Sequence, residues 1–204
     1  MFKFYIVVKD INRMISFTAS YINKVGIKEK CPHSSRFQDK SASLVELSML
    51  DKRDVKTLEE LSYDWGDYSY ATNLYEFAKY INSKQITNSP QKLLAITTQK
   101  ENFKNLEPSK VLGLVEYTPK EDNSAKINLI ETNPVHTYYS NDREYKNIGK
   151  GLIQGVIEHS KADKITLHSV PSAKYFYKKL GFVQNPEKKD WYGNLDKSEF
   201  MLII

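Results

Sequence analysis

Cysteine is almost absent from this sequence. Cys31 stands alone among 204 residues, so no disulfide can form within the chain, and a reducing compartment is the simplest expectation. Long apolar runs are missing as well. The opening MFKFYIVVKD is too short for a signal peptide, and no later stretch approaches the ~20 apolar residues of a membrane span. A cytoplasmic protein with no membrane partner is expected. The net charge of +5 comes from scattered lysines without a block of five or six basic residues. That balance suits a small anionic ligand and argues against a dedicated nucleic-acid groove. Repeats and low-complexity tracts are absent. Cys31 and His33 make no metal pattern with their neighbours, and His136 and His159 are too isolated to rank, so no metal is expected.

What is present is an ordinary globular composition, 40% hydrophobic and 27% charged, with 14 tyrosines and 9 phenylalanines that argue against disorder. The length suits one domain with an extension. Phe2, Phe4, Ile6 and Val8 alternate as a strand does; Ile11, Met14, Ile15, Ile22 and Val25 then recur at helical spacing. Residues 28–43 are polar, carry Pro32 and read as a loop. Residues 1–43 are therefore expected to be an extension, and 44–204 the main domain.

In that domain 44–50 reads as a strand. Asp51, with Asp54 three residues on, caps a helix striped by Val55, Leu58 and Leu61. A second helix is expected over Asn73 to Asn82. Strands are expected at 92–99, 111–118 and 126–132, the last two as a hairpin around KEDNSA. A helix follows from Ile148, then a strand at 164–170, a helix at 172–180 stopped by Gly181, and a strand at 198–204. The fold class is α/β (α+β), a mixed sheet with helices on both faces.

With only 8 glycines available, two flank a lysine in NIGKGLIQGVIEHSK, at the mouth of the Ile148 helix. A helix start presents unpaired N–H groups and partial positive charge. Gly149 and Gly151 have no Cβ to block an anion from those groups, and Arg143, Lys146 and Lys150 add charge, which suits a pyrophosphate. A plain strand-to-helix turn explains the same residues. A P-loop is excluded because Leu152 follows the second glycine, and a dinucleotide fingerprint because its third glycine is Gln154.

A second motif lies further on. Ala173, Tyr177, Gly181 and Phe182 match Ala-x-x-x-Tyr-x-x-x-Gly-Phe at every position, and Lys146 to Gly151 approach Gln/Arg-x-x-Gly-x-Gly/Ala. In that order and spacing the pair resembles the GNAT superfamily of acetyl-CoA-dependent N-acyltransferases, over roughly residues 44–204. The departures are Lys146 for Gln or Arg, Val170 where Asn is frequent, and an insertion, VHTYYSNDREY, that offers a lid or substrate wall. The resemblance implies a GNAT-like, mostly antiparallel sheet and acetyl-CoA as co-substrate. It implies coenzyme contacts from Lys146, Asn147, Ile148, Gly149, Lys150, Gly151 and Leu152, and from the strand carrying Ile130, Glu131 and Thr132.

It also implies catalysis by Tyr177 as proton donor to the departing thiolate, a phenol of pKa ~10 facing a thiol of ~8.5; core packing is the competing role. For the base, Glu131, His168 and a water chain stay open. Asp64, Trp65, Asp67, Tyr68 and Tyr70 offer an acceptor wall for a cationic amine, or an ordinary helix junction. The implied activity is acetyl transfer to an amine, on a small molecule or a protein, directly in a ternary complex. A non-catalytic acyl-CoA-binding module and an enzyme acting on charged tRNA are the alternatives, and a homodimer is left open.

Overall fold

The computed structural model describes residues 19–137, 140–141, 143–185 and 198–204. The strand expected over Phe2 to Val8 lies outside them. The elements run β1 (Ser20–Lys30), β2 (Phe37–Leu47), α1 (Lys52–Trp65), α2 (Tyr70–Ser83), β3 (Lys92–Thr97), β4 (Val111–Pro119), β5 (Ser124–Thr132), β6 (Tyr145–Lys146), α3 (Ile148–Ser160), β7 (Lys164–His168), α4 (Lys174–Lys179), β8 (Val183–Gln184) and β9 (Glu199–Ile203). Among the described residues the strands form one nine-stranded sheet in the order β6-β1-β2-β3-β4-β5-β7-β9-β8. All neighbours are antiparallel except β5 and β7.

Period-two alternation divides the apolar residues between two faces. On β2 and β3, Leu44, Leu94 and Ile96 face one way and pack with Leu152 and Val156 of α3 and Tyr177 of α4. Val45, Leu47, Leu93 and Ala95 face the other way, against Leu58 and Leu61 of α1 and Leu74, Ala78 and Ile81 of α2. The expected mixed, mostly antiparallel sheet with helices on both faces is what the chain forms.

The region before residue 44 corrects the sequence reading. The segment holding Ile22 and Val25 is strand, not helix. A bulge at Ile22 shifts the register between Tyr21 and Asn23, so Ile22 and Val25, three apart, reach the same core and imitate a helical interval. The expected loop at 28–43 is largely a hairpin, with β1 and β2 paired from Lys30↔Phe37 to Ser20↔Glu46. Its outer residues carry little apolar pattern because most are exposed or half-buried there. The division at residue 43 runs through the middle of β2.

Side-chain caps fix the helices on the second face. Asp51 accepts the Arg53 N–H at 2.8 Å to start α1. Asp54, which is buried, accepts the N–H groups of Ser48 at 2.8 Å and Ala19 at 3.2 Å. It thereby ties the first turn of α1 to the chain entering β1 and leaving β2. Burial lifts its carboxyl to about 7, against those two donors. Ser69 caps α2 through the Thr72 N–H, three residues earlier than the sequence pattern suggested.

Two irregularities position the site. On β5 a bulge at Asn128 shifts the pairing with β4 between Ile127 and Leu129. Beside it, β5 pairs with β7 only from Ser124↔Lys164 to Ile127↔Leu167. β5 continues to Thr132 and β7 ends at His168, so the two neighbours part beyond Ile127.

Candidate active site

Past that parting, β5 runs on to line a cavity of about 340 Å³ with Ile130, Glu131 and Thr132. Its walls come from β5, the first turn of α3, α4 and the segment between β5 and β6. Asn147 starts α3 in the left-handed region, φ 64°, with no side-chain cap. The first helical bond is Gly151 N–H to Asn147 O at 2.9 Å. The N–H groups of Ile148, Gly149 and Lys150 therefore lack an intrahelical acceptor, and these three residues line the cavity with Asn147.

The two glycines have different duties. A Cβ on Gly149 would lie 3.1 Å from the Phe176 ring of α4, whereas one on Gly151 would lie 2.9 Å from Ile96 Cδ1 on β3. Gly149 belongs to the cavity wall; Gly151 lets α3 lie close on the sheet. Leu152 is fully buried in the core. Lys146 sits in β6 with its ammonium 3.6 Å above the Phe37 ring. Lys146, Gly151 and Leu152, expected as coenzyme contacts, do not line this cavity. A larger groove of about 720 Å³ runs along the other side of the same turn, over β1 and β2, and is lined by Lys28, Asp39, Lys40 and Gly151 among others. It contains none of the acid–base residues expected for transfer.

Tyr177 is held on α4 with its ring edge against Phe176 at 5.1 Å and Phe182 at 5.7 Å. It is 5% exposed and lines the cavity. No hydrogen bond from a described residue reaches its hydroxyl. Burial, then Tyr70, push its pKa up to about 12. Packing and cavity exposure coexist at this one side chain.

Ile130, Glu131 and Thr132 of β5 line the opposite wall. Glu131 Oε2 accepts the Tyr70 N–H at 2.8 Å, so this carboxylate also receives the open start of α2. Burial raises its pKa, and the N–H groups of Tyr70 and Ala71 oppose the rise. That bond sets the α1–α2 connection beside the cavity, where Asp64, Asp67 and Tyr68 are exposed while Trp65 enters the second core. His168 does not join the site. Its Nε2 is 3.1 Å from Oε2 of Glu199, the first residue of β9 and its cross-strand partner.

Sequence reasoning offered the insertion that holds His136, Thr137 and Arg143 as a lid or substrate wall without singling out His136 or Thr137, and it did not place Phe176 on the wall. The His136 side chain is buried, edge-on to Tyr145 at 5.0 Å, and its Nδ1 has no hydrogen-bond partner among the described residues. Among the described residues no group of His, Cys, Asp and Glu is arranged to hold a metal, and no helix is long and apolar enough to cross a membrane.

A family model described as an acetyltransferase (GNAT) domain matches residues 67–192. No curated protein matches the chain. Among solved structures, one from Desulfovibrio desulfuricans assigned to the GNAT family of acetyltransferases is similar with a TM-score of 0.53 and 12% identity, covering 79% of this chain and 98% of that one. A chimera of the Vibrio cholerae spermidine N-acetyltransferase SpeG with hSSAT is similar with a TM-score of 0.51 and 19% identity, covering 79% and 95%. These structural likenesses concern the fold.

Proposed function

The chain belongs to the GNAT acetyltransferase family, and on that premise we propose that it moves an acetyl group from acetyl-CoA to an amine by direct transfer in a ternary complex. The observation that carries the reading is the stretch of β5 beyond its pairing with β7, whose Ile130 to Thr132 share one cavity with the uncapped start of α3 and Tyr177. The fit to the coenzyme is chemical. The backbone of Ile130 to Thr132 is free of a strand partner on the β7 side and can pair with an amide-bearing chain as an added strand. The open N–H groups of Ile148 to Lys150 and the Lys150 ammonium suit a diphosphate.

Acetyl-CoA supplies an acyl group already activated as a thioester, with a thiolate to leave. Glu131 accepts the proton of the attacking amine, directly or through water. Tyr177 gives its phenolic proton to the leaving sulfur. The burial that weakens the phenol as an acid also destabilises a thiolate in the same cavity, so the rise to about 12 does not undo the match. Glu131, with Asp64 in the last turn of α1 and Asp67 on the adjacent connection, biases the acceptor side negative and favours a cationic amine over an anionic one.

Initial rates of thiol release, with acetyl-CoA and an amine varied against each other, test the reading. Intersecting reciprocal plots are expected. Parallel lines would replace the ternary complex with a covalent acetyl-enzyme, and a protein that binds acetyl-CoA without releasing thiol to any amine would be a binding module.

A further inference from the structure

His136 is 9% exposed and lines the cavity at the start of α3. Among the described residues its enclosed Nδ1 makes no hydrogen bond, a rare and costly state for a buried polar atom. The ring thus stands beside an anion-ready helix start with an unmet polar atom of its own. The segment that carries it also brings Arg143 to the same wall, its Nε donating to Tyr145 O at 3.0 Å.

We propose that His136 is a proton-uptake site for coenzyme binding: it is neutral in the free protein and becomes an imidazolium as the diphosphate enters beside α3. The inference rests on the coenzyme reading above. Burial disfavours the imidazolium most; Glu144 favours it, Arg143 disfavours it and the Val135 backbone favours it, leaving the pKa lowered. Across the cavity stand Lys150 from α3, Glu131 from β5 and the neutral phenol of Tyr177 from α4. A diphosphate adds negative charge to a wall holding Arg143 and Lys150, and so shifts the balance at His136 toward the imidazolium. The proton comes from solvent to a ring nitrogen, which then donates to a phosphate oxygen; no bond of the coenzyme changes. The sign follows. The complex favours the protonated ring, so affinity weakens as pH rises between the free and bound pKa values, by at most tenfold per unit.

Calorimetry of 3′-dephospho-acetyl-CoA at pH 7.5, in buffers of different ionisation heat, reads the uptake directly. This ligand keeps the diphosphate and lacks the monoester that titrates near ~6. The wild type is expected to take up a fraction of a proton approaching one. S-acetylpantetheine, without phosphate, should take up none. Folded His136→Gln, or His136→Asn if the first does not fold, should bind with no uptake and a Kd insensitive to pH. Undiminished uptake in the variant, or no uptake in a wild type that binds, overturns the inference. A wild type that binds no acetyl-CoA overturns the coenzyme reading itself, and this inference with it.

Discussion

Tyr177→Phe separates chemistry from packing at a buried point of the site. The substitution removes one oxygen and keeps the ring between Phe176 and Phe182. Because no described residue hydrogen-bonds that oxygen, little stability is at stake. A change within ~0.5 kcal/mol is expected, about 1–2 °C in Tm for a chain of this length. Affinity for acetyl-CoA should stay near that of the wild type, since the backbone of β5 and α3 carries the binding. Turnover should not. Losing a general acid costs ~10²–10⁴-fold, or ~2.7–5.5 kcal/mol in the barrier. Thiol release at saturating acetyl-CoA, with a melting curve on the same sample, makes the comparison. Turnover within threefold of the wild type at unchanged Tm would refute the assignment and leave Tyr177 as core.

Glu131→Gln should lose the rising acid limb of the pH–rate profile, a limb that burial sets above the ordinary carboxylate range; His168→Gln should keep it. Gly151→Val presses a side chain on Ile96 and should cost the ~1–3 kcal/mol of overpacking, read as a lower Tm, whereas Lys150→Gln should leave Tm alone and weaken acetyl-CoA binding, as calorimetry can read. Asp54 holds its proton to about 7 when folded and to ~3.9 when unfolded. Folding therefore takes up a proton between those values, and its contribution to stability is full below ~3.9 and lost as pH rises through about 7. Melting curves of Asp54→Asn should be flatter than those of the wild type across that window.

The legible parts of the fold were those where one rule acts alone. The apolar face of α3, the β4–β5 hairpin and the stop at Gly181 follow from periodicity and turn chemistry. Gly149 stood out because a glycine at a helix start suits an anion, and Tyr177 because its spacing from Ala173 and Gly181 resembles a family motif. The β1–β2 hairpin was hidden by the bulge at Ile22 and by a polar outer half whose pairing is carried by backbone. The tie from Glu131 to the start of α2 spans 61 residues, beyond the reach of any local pattern. Gly151 lies against the sheet and not on the cavity wall, a difference hidden in the sequence because a glycine that admits a ligand and one that admits the sheet look alike there. His136 was passed over because a lone histidine takes its meaning only from what surrounds it.

The central claim is that acetyl leaves acetyl-CoA for an amine on this protein. Mass spectrometry of a single reaction, quantifying free coenzyme A and acetylated amine together across a panel of cationic amines, tests it most directly. The account predicts equal amounts of the two products, formed only when enzyme, acetyl-CoA and a suitable amine are all present. Coenzyme A released without acetylated amine, or neither product despite tight acetyl-CoA binding, would contradict it.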